Sequence, residues 1–101
     1  MQTADHAYTT PSIAPAMVGG EPRIHDANLA ARIGLGSPQV LRDMIRRREA
    51  EIGRLGAPCT IGGEHYLNRR QAVFIAMVSG AKNATDIAIE IIDRVREITP
   101  H

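Results

Sequence analysis

The sequence predicts a mostly α-helical domain of about four helices with a small β-hairpin, arranged as a winged-helix-like helix-turn-helix. Two short helical segments flank the glycine-containing turn at 34–37, and a Gly62-Gly63 pair separates two β-prone runs. Two further apolar helical segments follow residue 68. We expect residues 1–22, rich in Pro, Gly and Thr, to form a flexible arm or a loosely docked strand, and residues 23–99 to form the domain.

The helix-turn-helix unit is predicted from capping residues and apolar spacing. The first helix should run from Asp26, as the N-cap, to about Ile33. The second should begin at Pro38, capped by the Ser37 hydroxyl, and run to about residue 55. Arg48 falls inside the apolar stripe of this second helix, so either the helix bends or breaks there, or the arginine stem lies along apolar surface. The stripe consists of Val40, Leu41, Met44, Ile45, Ile52 and Leu55.

The second half of the chain predicts a hairpin and two more helices. Asn68 is a suitable cap for a helix from Arg69 to about residue 79, which should be the most buried because its segment VFIAMV is apolar nearly all round. The last helix should span about 84–98. Ile89 lies off its main apolar stripe and, with Ile92, forms a candidate homodimer surface.

Positive charge is concentrated in the middle of the chain, although the net charge is only +1. Residues 23–70 contain nine arginines and five acidic residues, a balance of +4, whereas the flanking segments are negative. Eleven of the twelve basic residues are arginines, which suit bidentate contacts to phosphate and guanine. A GC-rich genome and solvated helix faces would give the same composition.

The second helix has the residue types that read DNA in a major groove. Gln39 and Arg42 would contact bases, while Arg46 and Arg47 would hold phosphates. The alternative is a solvated face on which Asp43 pairs with these arginines. Ser37 could donate to phosphate at the helix start, and two arginines that open the third helix could contact the flanking backbone. The predicted DNA-binding residues are Ser37, Gln39, Arg42, Arg46, Arg47, Arg69 and Arg70.

Other functional classes have little support in the sequence. The four histidines have no metal-ligand spacing, Cys59 has no base beside it, and we expect no enzyme activity, cofactor or metal. No apolar run approaches the roughly 20 residues that a membrane span needs. A lone cysteine and the lack of a signal segment favour a cytoplasmic protein.

Two segments resemble phage regulatory proteins of the Rha type and the related antirepressor N-terminal domains of the BRO and KilA-N types. They are QVLRDMI at 39–45 and YLNRRQAVFIAMVSGAKNATDIAIEIIDRV at 66–95, within a similarity that covers roughly residues 24–97. The resemblance implies a phage- or prophage-derived regulator whose partner is DNA or a repressor. The matching positions are Val40, Leu41, Arg42, Asp43, Tyr66 and Leu67.

The sequence therefore predicts a small transcriptional regulator that binds double-stranded DNA through the helix from Pro38, as a homodimer. The alternative is a protein–protein interaction module, an antirepressor or adaptor that binds a repressor or another regulator. The apolar last helix and the N-terminal arm fit that alternative equally well.

Overall fold

A computed structural model of the chain describes residues 12–99. This part of the chain contains five helices and one four-stranded antiparallel sheet, so the fold is mixed rather than purely helical. The strands are β1 Ala16–Val18, β2 Glu21–His25, β3 Thr60–Ile61 and β4 Glu64–Leu67. The helices are α1 Asp26–Ile33, α2 Pro38–Arg47, α3 Glu49–Arg54, α4 Arg69–Val78 and α5 Ala84–Ile98.

The sheet consists of two hairpins that pair along their inner strands, in the order β1-β2-β4-β3. Ile24 lies opposite Leu67 and His25 lies opposite Tyr66 in the β2–β4 pair. The predicted hairpin is confirmed, with its turn at Gly62-Gly63. The β1–β2 hairpin has the same two-glycine turn and was not predicted.

The core is aliphatic, as the near absence of aromatic residues requires, and every layer of the fold contributes to it. Removing such side chains from water is the main favourable term in folding. The sheet contributes Ile24, α1 contributes Leu29 and α2 contributes Leu41, all fully buried. Helices α4 and α5 pack on the same cluster through Ile75, Ile87 and Ile91.

The predicted second helix is two helices, because the chain breaks at Arg48 (φ −116°, ψ 28°). Leu41, Ile45 and Ile52 are buried, and an uninterrupted helix would direct Arg48 into the same buried stripe. The break leaves its side chain 43% exposed, beside Glu51. The prediction of one helix to residue 55 was wrong, and the break that the sequence left as an alternative is what occurs.

Three further predictions about this region need correction. His25, not Asp26, is the N-cap residue of α1, and Asp26 is the first helical residue with a fully buried side chain. Ser37 occupies the N-cap position of α2, but its side chain makes no capping hydrogen bond. Val40 is 45% exposed and lies outside the buried stripe, because the buried positions of α2 are Leu41 and Ile45.

Helix α4 begins at the predicted cap Asn68, which forms a capping box with Gln71: each side chain accepts from the other residue's backbone N–H. Four of its ten residues are buried, the largest share in any described helix, so the prediction that it is the most buried is confirmed. Its apolar residues outnumber the positions that face the core, so Met77 stays 52% exposed while Val73 and Phe74 are half-buried. Helix α5 spans the predicted range, and Ile89 on it is also 52% exposed.

Residues 12–18, within the predicted arm, are attached to the body of the domain. Ile13 is buried, and its N–H donates to the Glu90 carboxylate at 2.7 Å. The Asn28 side chain hydrogen-bonds to the backbone of the residues before and after Ile13. It accepts from Ala14 N–H at 2.8 Å and donates to the Ser12 carbonyl at 2.9 Å. Strand β1 then joins the sheet edge, and residues 19–22 form the following turn and the start of β2. Residues 1–11 of the predicted arm lie outside the described residues.

No helix within residues 12–99 combines the length and apolar character that crossing a membrane would require.

Candidate nucleic-acid interface

Helices α1 and α2 are joined by a tight turn, as the sequence predicts. Gly34 ends α1 in the left-handed region (φ 94°), and its N–H donates to the Ala30 and Ala31 carbonyls at 3.0 and 3.1 Å. Leu35 N–H also donates to the Ala30 carbonyl at 3.0 Å. These bonds satisfy the free carbonyls of the helix end and reverse the chain direction within four residues. Pro38 then opens α2 at its first turn.

The two helices are joined by an ion pair in which the carboxylate is fully buried and the guanidinium is half-buried. Arg42 Nε donates to Asp26 Oδ2 at 2.8 Å, and its Nη2 donates to Oδ1 at 3.1 Å. Asp26 Oδ2 also accepts from the His65 backbone N–H at 2.9 Å, which joins strand β4 to the pair. One carboxylate therefore fixes the angle between α1 and α2 and their position on the hairpin.

The electrostatics of Asp26 favour its charged form. Burial raises the pKa of its carboxyl, but the hydrogen bonds from Arg42 and His65 and the Arg42 charge outweigh burial, so the pKa lies below its usual range. His25 lies beside the pair, with Nε2 3.4 Å from Asp26 Oδ1 and hydrogen-bonded to the Glu64 carboxylate. The His25 ring also contacts Tyr66, with ring centroids 5.0 Å apart.

With its inner side locked, α2 presents a polar face to solvent, which we term the α2 outer face. It consists of Gln39, Val40, Asp43, Arg46 and Arg47, which repeat at the spacing of one helix surface. Asp43 Oδ1 accepts from Gln39 Nε2 at 2.9 Å and from Arg46 Nη2 at 3.1 Å. Among the described residues, Arg47 has no carboxylate within 4.0 Å.

The structure separates the predicted DNA-binding residues into three groups. Gln39, Arg46 and Arg47 lie together on the α2 outer face, with Ser37 exposed just before the helix. Arg42 lies apart from them, because its guanidinium is bound to Asp26 and its side chain is only 25% exposed. The third group lies elsewhere, on a groove between α3, α4 and α5, and consists of Arg69 and Arg70.

The β3–β4 hairpin stands next to the α2 outer face. A cavity of about 160 Å³ separates the hairpin from α2 and α3, and Arg46, Thr60 and His65 line it. Ile61, in the hairpin strand β3, is 55% exposed. Helix α2 and the hairpin thus lie side by side, with Glu49 among the residues that line the cavity between them.

Sequence reasoning missed two features of this region. Asp26 was interpreted as a cap, because a carboxylate before a helix usually caps it, and its pairing with Arg42 depends on a contact 16 residues away. The exposure of Val40 and Ile61 had no sequence signal, because apolar residues are ordinarily assigned to a core.

Within residues 12–99, no group of three or more His, Cys, Asp or Glu side chains could hold a metal ion.

No protein-family model, curated protein or solved structure matches the chain.

Proposed function

We propose that the protein binds double-stranded DNA, inserting α2 into the major groove and placing the β3–β4 hairpin beside it. The observation that carries the proposal is the α2 outer face, on which an amide, a methyl-bearing side chain and two guanidinium groups project from one helix whose opposite side is locked to α1. In the major groove, the amide and guanidinium groups of such a helix can hydrogen-bond to base edges, and the methyl groups can contact thymine methyl groups. The resemblance to phage regulatory proteins supports the same function.

The order of elements also supports this proposal. A strand, a helix, a tight turn, a second helix, the short helix α3 and a hairpin follow one another, and β2 pairs with the second strand of that hairpin. Apart from α3, this order is similar to that of a winged helix-turn-helix, in which the hairpin contacts DNA next to the recognition helix. In this proposal the sheet holds α2 and the β3–β4 hairpin in position relative to each other.

The roles within the site follow from the geometry. Gln39 and Val40, near the start of α2, suit an adenine edge and a thymine methyl group, respectively. Arg46 and Arg47, two turns later, suit phosphates or guanine. Asp43 competes with DNA for Gln39 and Arg46, so binding must open two hydrogen bonds. Arg42 acts by holding the helix in place rather than by contacting DNA.

The test is the salt dependence of binding to a labelled random duplex, measured by fluorescence anisotropy. We expect affinity to fall steeply between about 50 and 200 mM salt, because each neutralised phosphate releases counterions. The variant R46A/R47A should reduce the slope of log K against log salt by about 1.8, since each phosphate contact contributes roughly 0.9. Both side chains are exposed, so the fold should be retained.

The matched control is R94A/R96A, which removes the same charge from exposed arginines of α5. It should leave the slope close to that of the unmodified protein. Binding that does not respond to salt, or an equal loss in the two double variants, would contradict the proposal.

A second function, recognition of a repressor or another regulator, is favoured by one observation. Val40 and Ile61 are 45% and 55% exposed on α2 and on the hairpin, and such side chains are typical anchors of protein interfaces. We propose this second function, recognition of a repressor or another regulator, if the protein does not bind duplex DNA.

A further inference from the structure

We propose that a second copy of this chain docks on the outer face of the α4–α5 pair, in an antiparallel two-fold contact. The face contains a groove of about 420 Å³, which we term the α4–α5 groove. Its lining residues are Leu55, Arg69, Arg70, Val73, Phe74 and Ile92. The proposal does not depend on DNA binding, because it uses none of the α2 outer face.

The apolar part of this face is complementary to itself. Next to the groove, Met77 and Ile89 project into solvent, each 52% exposed. Met77 lies one turn beyond Phe74 on α4, and Ile89 lies one turn before Ile92 on α5, so both continue the apolar lining past the end of the groove. Each protomer thus offers a depression at one end and two protruding side chains at the other.

The charged residues also differ between the two ends of the face. Arg69 and Arg70 lie at the end of the face next to Val95 and Thr99, so α4 and α5 run antiparallel and the start of α5 lies at the opposite end. That end contains Asp86, in the first turn of α5. Within the described part of the chain, none of these three charged residues has an oppositely charged partner within 4.0 Å. Arg69 and Arg70 therefore lie at one end of the α4–α5 pair and Asp86 lies at the other, where Lys82 precedes α5.

A two-fold axis through the middle of the face reverses its ends. Arg69 and Arg70 of one protomer then meet Asp86 of its partner, while the partner's Met77 and Ile89 enter the groove. Each contact occurs twice, and the two-fold operation closes the assembly at a dimer. This match of shape, apolar surface and charge identifies the occupant as a second copy.

The first test measures molecular mass by sedimentation equilibrium over a wide range of protein concentration. We expect the unmodified chain to approach twice its 11.0 kDa mass, and the variant I89E to remain at the monomer mass. The control is I61E, which makes the same change at a residue of matching exposure, 55% against 52%, on the β3 strand. It should leave the dimer intact, and M77E provides a second disrupting variant should I89E fold poorly.

The second test exchanges the charges across the axis. R70E and D86R should each raise the dimer dissociation constant about fivefold, since an exposed pair that occurs twice is lost. The combined variant R70E/D86R restores both pairs with reversed polarity and should recover the original constant. A monomeric unmodified protein, dimers of I89E as stable as those of I61E, or a combined variant weaker than both single variants would overturn the proposal.

Discussion

The Asp26 carboxylate has the most connections of any single side chain in the helix-turn-helix region. It accepts two hydrogen bonds from Arg42 and one from the His65 backbone, so α1, α2 and β4 meet at one group. A buried carboxylate without such partners would be costly, and here each partner comes from a different element. The position of the α2 outer face therefore depends on a residue that lies outside that face.

We expect D26N to lower the free energy of unfolding by about 2–3 kcal/mol, because the amide removes the charge that Arg42 and the His65 N–H both bind. Urea titration followed by circular dichroism measures the change. The control is D43N, which removes a carboxylate, 41% exposed, from an ion pair within α2. Its effect should stay within about 0.5 kcal/mol, since exposed pairs contribute little. Equal effects of the two changes would show that the Asp26–Arg42 pair does not stabilise the fold.

At the scale of elements, the connection from α3 to α4 is stabilised by side chains that bond to backbone. Gln71 is fully buried, and its Nε2 donates to the Ile52 and Gly56 carbonyls at 3.2 and 3.0 Å. Asn68 Nδ2 donates to the Leu55 carbonyl at 3.1 Å. Because these carbonyls end α3, the capping residues of α4 also satisfy the preceding helix. The connection is tight enough that only glycine fits at residue 56.

We expect G56A to be strongly destabilising. Gly56 has φ 151°, which side-chain-bearing residues rarely adopt, and an added Cβ would lie 2.2 Å from Asn68 Nδ2. The control is G53A, inside α3, where a Cβ meets nothing within 4 Å. It should stabilise the protein by about 0.5–1 kcal/mol through helix propensity. Thermal unfolding of the two variants therefore gives shifts of opposite sign, and two shifts of the same sign would contradict this account.

The helix bounds of α1, α4 and α5 could be predicted because apolar spacing is local, as is the Asn68 cap of α4. The Gly62-Gly63 hairpin could be predicted for the same reason. The first hairpin has the same signal, since Val18-Gly19-Gly20-Glu21 repeats the pattern of Ile61-Gly62-Gly63-Glu64. It was missed because the surrounding prolines and short strands resemble an unstructured arm. Edge strands of this kind are formed by pairing with a neighbour rather than by their own composition.

The grouping of the candidate site residues was less predictable than the elements. Helical spacing brought Gln39, Arg46 and Arg47 to one face. It could not assign Arg42 to Asp26, which requires the crossing of two helices. Nor could it place Arg69 and Arg70 on a different surface, since that depends on how α3 turns back after the break at Arg48. Contacts distant in sequence decided each of these cases.

At the scale of the whole molecule, two carboxylates join segments that are far apart in the chain. Asp26 connects the helix-turn-helix region to the sheet, and Glu90 on α5 connects to both α1 and the N-terminal segment. Glu90 Oε1 accepts from Arg32 Nε at 2.7 Å, and Oε2 accepts from Ile13 N–H. Burial raises the pKa of the Glu90 carboxyl. The hydrogen bonds from the Ile13 N–H and the Arg32 guanidinium lower this pKa by more than burial raises it, so it lies below its usual value.

These two groups predict how stability depends on acid. Both carboxyls have a lower pKa in the folded protein than in the unfolded chain, where ordinary values are about 4. The unfolded chain therefore binds more protons, and stability is full at neutral pH and falls as pH drops below about 4 through the folded values. We expect the free energy of unfolding, measured by urea titration between pH 7 and pH 2, to decrease over this acidic range.

The variants D26N and E90Q should each be less stable at neutral pH and lose less stability on acidification, because the titrating group is gone. E97Q, which removes an exposed carboxylate from the same helix as Glu90, should keep the full acid dependence. The E90Q change should also increase hydrogen exchange at Ile13 specifically, since that N–H loses its charged acceptor. An unchanged acid profile in both D26N and E90Q would mean that other carboxylates control the response.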